Sequence, residues 1–188
     1  MGKYTFDMEG KKTGGIYFES TGTTVSRFND IKVENCYIYD VVRCGLTLWS
    51  DWIDSGTDPA SFYNTNVIIR NNVFERTSGD AIICRSSTSP LIEHNTSISA
   101  AYGNNGSGGL TSWAAAIWVR SCTNAVLQYN EAYDTRTTYD GQGFDADIAA
   151  DGTIFQYNYS HDNKGGFLLI MNTSQNTTAR YNISQNDR

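Results

Sequence analysis

Proline, histidine, long apolar runs and helical periodicity are all scarce in this chain. Only 2 prolines and 2 histidines occur in 188 residues, and 18% of residues are charged. No segment repeats apolar residues at helical spacing, so amphipathic helices are not expected. No apolar run approaches the ~18 residues of a membrane-spanning helix. The opening MGKYTFDMEG lacks the apolar stretch of a secretory leader. Lys and Arg number 14 against 20 Asp and Glu, a net charge of -6. That balance argues against nucleic acid or an acidic membrane surface as partner. Cys36, Cys44, Cys84 and Cys122 show no C-x-x-C spacing, so no zinc site is expected. No Ser-His-Asp order or phosphate loop stands out either.

What the chain has instead is Asn, Ser, Thr, Gly and Tyr, arranged in a repeated word. Phe155-Gln156-Tyr157-Asn158 places an apolar residue three positions before Asn. The same word appears as Ile69 to Asn72, Ile92 to Asn95 and Leu127 to Asn130, with weaker copies at Val33 to Cys36 and Ala179 to Asn182. Between successive last letters the spacings are 36, 23, 35, 28 and 24. The short spacings set a period of 23 to 24, and the long ones add inserted loops. A second short strand follows each word, for example Leu46-Thr47-Leu48, Ile117-Trp118-Val119 and Phe144-Asp145-Ala146. Short β runs at a fixed period of this size predict a solenoid. The strands are too short for βαβ crossovers, so successive copies are expected to stack in parallel.

With this word and period the chain resembles a right-handed parallel β-helix of the pectate-lyase-like superfamily, over roughly Gly14 to Asn186. The resemblance implies an all-β fold of six to seven coils with three insertions. It also implies a secreted or cell-surface protein of bacterial type, active on polysaccharides. Stacked coils would set Asn72, Asn95, Asn130, Asn158 and Asn182 about 4.8 Å apart in a hydrogen-bonded row. Asn also tolerates the left-handed turn conformation. Cys36 would be a small substitute in that row. His94 would stack in a neighbouring row with Asn35, Asn71, Tyr129, Tyr157 and Tyr181. His161 reads as a turn residue. The cysteines read as small packed residues, with Cys36–Cys44 or Cys84–Cys122 disulfides left open.

The whole chain, 1–188, reads as one domain. Residues 1–13 read as an edge strand or a lead. Neither end shows a cap. That predicts a piece of a longer protein, or a chain capped by self-association.

Three insertions border the second-strand sheet: Asp51 to Asn64, Ala101 to Trp113, and Arg136 to Asp140. Function concentrates on loops carried by rigid scaffolds, so this sheet is the expected floor of a glycan groove. Alternation places Tyr17/Glu19, Thr47/Trp49, Ile82/Cys84, Trp118/Arg120, Asp145/Asp147 and Leu168/Ile170 on its outer side. Exposed Trp49 and Trp118, about 10 Å apart, would stack on sugar rings. Trp52 and Arg85 are further substrate contacts from the rim.

Asp145 and Asp147 are the expected catalytic pair, with Cα atoms about 6.6 Å apart on one strand. Inverting glycosidases separate their carboxyls by ~6.5–9.5 Å and retaining ones by ~5–5.5 Å. The spacing leans to inversion, although side-chain splay exceeds the difference. Arg120, one coil back, would hold one carboxylate or bind substrate. The expectation is a glycoside hydrolase acting on a polysaccharide or oligosaccharide without a cofactor. One alternative is a calcium-dependent lyase with Asp145, Asp147 and Asp151 as ligands. Another is a non-catalytic glycan-binding or adhesive β-helix. Polygalacturonase-like hydrolases add a His and an R-x-K to their aspartates, and only a loose Asp cluster matches here.

Overall fold

The computed structural model describes residues 14–53, 58–102, 113–137 and 139–188. The expected lead at 1–13 and parts of the three insertions lie outside the described residues. The rest is all-β apart from one 3-10 turn at Ala60–Phe62.

Three parallel sheets of six strands wrap around one core. The first stacks β1 (Gly14–Ser20), β4 (Cys44–Ser50), β7 (Ile82–Arg85), β10 (Ile117–Arg120), β14 (Phe144–Ala146) and β18 (Leu168–Ile170). The second stacks β2 (Lys32–Glu34), β5 (Ile68–Arg70), β8 (Leu91–Glu93), β12 (Val126–Gln128), β16 (Ile154–Gln156) and β19 (Thr178–Arg180). The third stacks β3 (Tyr37–Tyr39), β6 (Val73–Glu75), β9 (Thr96–Ile98), β13 (Glu131–Tyr133), β17 (Tyr159–His161) and β20 (Ile183–Gln185). A short fourth ladder pairs β11 (Cys122–Thr123) with β15 (Ala150–Asp151). The second sheet pairs Ile69 with Ile92, Ile92 with Leu127 and Leu127 with Phe155, so the repeated words lie in register.

The words end in a corner closed by asparagines. Asn72, Asn95, Asn130 and Asn158 each donate Nδ2 to Oδ1 of the next asparagine, at 2.9, 3.0, 3.1 and 3.0 Å. Each also donates to a backbone carbonyl across the coil, at Val33, Ile69, Ile92 and Leu127. A turn buried inside a solenoid must satisfy its polar groups internally, and this side chain does so for its own coil and the next. The left-handed conformation expected of these asparagines belongs to the residue before each one. Asn71, His94, Tyr129, Tyr157 and Tyr181 have φ between 54° and 56°. The ladder residue turns inward, so its outer neighbour absorbs the bend. His94, Tyr129, Tyr157 and Tyr181 offset that strain by stacking, at 5.0, 5.0 and 5.2 Å between centroids.

The core is filled by Leu46, Leu48, Ile69, Phe74, Ile82, Ile92, Ile117, Leu127, Phe144 and Phe155. Gly45 is required where β4 runs over Phe74. A Cβ there would lie 2.4 Å from Phe74 Cδ1 and 2.6 Å from the Ala81 carbonyl. Gly45→Ala is therefore expected to destabilise the chain by about 1–3 kcal/mol, read as a lowered thermal midpoint. An unchanged midpoint would mean the coil has slack at this point. All four cysteines are free thiols, so neither possible disulfide forms. Cys84, fully buried, is held neutral by hydrogen bonding with Cys122 and then by burial.

Candidate active site

The outer side of the first sheet carries two rows of side chains. In the first, Tyr17 pairs with Thr47, Thr47 with Ile83, Ile83 with Trp118, Trp118 with Asp145 and Asp145 with Leu169. In the second, Glu19 pairs with Trp49 and Arg85 with Arg120. Extending the same register by two residues sets Trp49 beside Arg85, and by one sets Arg120 beside Asp147.

This register corrects the expected phase of two strands. In β7 the inward residues are Ile82 and Cys84, and Ile83 and Arg85 face out. In β18 Leu168 pairs with Phe144 and Leu169 with Asp145. Both strands are continuous apolar runs, in which a one-residue slip exchanges the faces without leaving a trace in composition. The slip brings Arg85 into the second row, between Trp49 and Arg120.

Asp145 and Asp147 do share the outer face. Asp145 is buried at 5% exposure beside Trp118. Asp147 is tied to Arg120, whose Nη1 donates to Oδ1 at 3.3 Å and to Oδ2 at 3.1 Å. Its Oδ1 also accepts the Ile148 N–H at 2.6 Å, and its carbonyl accepts the Ser174 hydroxyl. The pair thus has unlike surroundings, which is how two carboxyls are given different roles.

The tryptophans do not form an open platform. Trp49 is 3% exposed and Trp118 is 4%. Trp49 donates Nε1–H to Asp51 at 3.0 Å, and its ring is covered by the Arg85 guanidinium, 3.8 Å from the ring centroid. Trp118 donates Nε1–H to Asp80 at 2.7 Å. Trp49 lies in the second row and Trp118 in the first, so they also miss a common line. Trp49, Arg85 and Trp118 are packed and buried on the outer face rather than open to solvent. Trp52, half-buried, follows β4 with its backbone N–H on Ser50 Oγ at 3.2 Å. Tyr17, in the first row, has its ionisation pushed up by burial above all, with the Glu19 and Asp51 carboxylates adding to the effect.

The three aspartates considered for calcium are not brought together. Asp151 lies in β15, outside the first sheet, and its Oδ1 accepts the Gln175 N–H at 2.7 Å. Asp147 already faces a guanidinium. Among the described residues no group of three or more His, Cys, Asp and Glu could hold a metal ion. His161 is likewise remote, in β17 of the third sheet. It contacts Asp162 at 2.8 Å and Glu131 at 3.3 Å and stacks with Tyr133 and Tyr159.

Two features have no counterpart in the sequence reading. One is Asp80, fully buried, whose contacts cross 35 and 38 residues of chain. The other is Trp113 against Tyr139, with centroids 5.4 Å apart and exposures of 51% and 48%. They stand where the second and third insertions enter the first sheet, next to the Ala114–Asp140 bridge. Insertions carry no period, so no spacing pointed to Trp113 or Tyr139.

The repeat, the three stacked sheets and the asparagine corner agree with a match of residues 7–187 to the family described as right-handed beta helix region. This chain belongs to that β-helix family. The β-helix is also 37% identical, over 98% of its length, to a lacto-N-biosidase of Bifidobacterium longum subsp. longum. It spans only 14% of that protein. Among solved structures it is similar to the native GH136 lacto-N-biosidase of Eubacterium ramulus. The TM-score is 0.71 at 29% identity, covering 84% of this β-helix and 28% of the other chain. The selenomethionine form of the same enzyme matches at a TM-score of 0.59 over 76% of the β-helix. Among the described residues no helix is long and apolar enough to cross a membrane.

Proposed function

We propose that this chain carries the catalytic face of a glycoside hydrolase that cleaves a lacto-N-bioside linkage in an oligosaccharide. The observation that supports it is the Asp145–Asp147 pair on the outer face of a parallel sheet, with Arg120 bound to one member. The 37% identity to a lacto-N-biosidase runs through the whole of this segment. Hydrolysis needs one carboxyl to protonate the leaving oxygen and one to act as an anion toward water or the anomeric carbon. Asp147, against a guanidinium, is the anion in this reading. Asp145, buried and next to Trp118 in the strand register, is the proton donor. Arg120 orients Asp147 through both its oxygens. Trp113 and Tyr139 offer the open ring surface at the rim that Trp49 and Trp118 do not. In this reading the protein acts outside the cell or at its surface.

Products from an aryl lacto-N-bioside and an oligosaccharide panel, weighed by mass spectrometry with and without a calcium chelator, test this. Products carrying an added water, unaffected by chelation, are expected. Unsaturated products lost on chelation would replace hydrolysis by calcium-dependent elimination. No product from folded protein would leave a glycan-binding module.

Trp113→Ala is expected to raise KM by about 3- to 10-fold, the loss of one aromatic contact, with kcat nearly unchanged. An unchanged KM would remove Trp113 from the substrate path.

A further inference from the structure

Asp80 lies outside the residues used above, yet it has no solvent exposure at all. Its backbone is pinned where the chain enters the first sheet. The Asp80 carbonyl accepts Gly45 N–H at 2.9 Å, while Gly79 N–H donates to Arg43 at 2.6 Å and Ala81 N–H to Ala116 at 3.0 Å. Its side chain reaches across two coils. Oδ1 accepts both the Trp118 Nε1–H at 2.7 Å and the Ala115 N–H at 3.1 Å, and the Cys44 thiol lies 3.7 Å from Oδ2. Cys44, Ile83, Ala115 and Trp118 form an apolar cluster here, separate from the main core.

Burying a carboxyl costs desolvation that its hydrogen bonds must offset. What it adds is geometry. One oxygen holds the indole and, through Ala115, the segment that leads from the second insertion into β10. Trp118 is the register neighbour of Asp145, so the two side chains leave adjacent strands on the same outer face of the sheet. We infer that Asp80 is a positioning residue: it clamps Trp118 and the Ala115 backbone so that the indole stays fixed beside Asp145. The inference rests on the hydrolytic reading of the Asp145–Asp147 pair.

The test compares Asp80→Ala, Asp80→Asn, Trp118→Phe and the Asp80→Asn/Trp118→Phe double variant in the full chain. It reads kcat and KM on an aryl lacto-N-bioside, hydrogen exchange of the Trp118 indole proton by NMR, and the thermal midpoint. Asp80→Ala should lower kcat by about a hundredfold, the scale of a misplaced reacting group, with KM changed less than about threefold. Asp80→Asn keeps one acceptor on a neutral, weaker group and should still lower kcat by about tenfold. Indole exchange should accelerate in Asp80→Ala. In the Trp118→Phe background, Asp80→Asn should have almost no further effect on kcat, because the clamp has lost its donor. Should Asp80→Ala not fold, the cycle with Asn still decides.

Full additivity of the two substitutions, or unchanged indole exchange in folded Asp80→Ala, would overturn the clamp. Failure of the hydrolytic reading looks different: no turnover in the unsubstituted chain, with indole exchange still accelerated in Asp80→Ala. That result would overturn the role beside Asp145 while leaving the indole contact in place.

Discussion

Asp147→Asn is expected to reduce turnover of a lacto-N-bioside by about a thousandfold, within the range for loss of a positioned acid or base. The amide keeps the shape of the carboxyl and its contact with the Ile148 N–H. It cannot supply the negative charge that the mechanism requires. Binding of the intact oligosaccharide, followed by calorimetry, should be retained, so the loss belongs to kcat rather than KM. Unchanged turnover would exclude Asp147 from the chemistry and leave its contact with Arg120 as structural. Asp145→Asn should differ in a diagnostic way. If Asp145 donates the proton, activated aryl substrates, whose leaving groups need little protonation, should lose far less than the natural oligosaccharide. Equal losses on both substrates would refute that assignment. The two substitutions therefore separate the roles that the unlike surroundings of the pair suggest.

Asn130→Ala should be among the most damaging single changes to the scaffold. Asn130 is 2% exposed and sits in mid-ladder. Its Oδ1 accepts Asn95 N–H and Nδ2–H, each at 3.0 Å. Its Nδ2 donates to the Ile92 carbonyl at 2.9 Å and to Asn158 Oδ1 at 3.1 Å. Alanine would leave buried groups on two coils without this partner, each at a cost of roughly 1–3 kcal/mol. A total of about 4 kcal/mol follows if water cannot enter. At ~2–4 °C per kcal/mol for a chain of this size, the midpoint should fall by roughly ten degrees. Asn182 provides the contrast. It is half-buried, its Oδ1 accepts Asn158 N–H at 2.9 Å and Nδ2–H at 3.0 Å, and its Nδ2 donates to the Phe155 carbonyl at 3.0 Å. Water can reach these bonds and replace them in part, so Asn182→Ala should cost less, about 1–2 kcal/mol. Equal losses at Asn130 and Asn182 would show that the asparagines act one by one rather than as a buried row.

The architecture was legible because a solenoid writes its geometry into a period. Each coil must return its inward apolar residue and its corner asparagine to the same place. The spacings that end in Asn72, Asn95, Asn130, Asn158 and Asn182 therefore reappear unchanged as register in the second sheet. The stacked row of His94, Tyr129, Tyr157 and Tyr181 was legible for the same reason. So was the shared outer face of Asp145 and Asp147, since alternation around Phe144 and Ala146 leaves only one side for them.

Phase and depth were decided elsewhere. Ala81-Ile82-Ile83-Cys84 is apolar throughout, so only pairing with Leu46 and Ile117 determines which residues face the core. That pairing moved Arg85 into line with Arg120. The burial of Trp49 and Trp118 depends on Arg85, Asp51 and Asp80, which reach them from other strands and turns. Outward on a strand is a property of local chain geometry, and exposed is a property of what packs on top. The sequence by itself determined the coil, its period and the side on which the carboxyls stand. The tertiary structure alone decided that the tryptophans are buried rather than open, and that Asp80 holds one of them, because those contacts join residues whose separation follows no repeat.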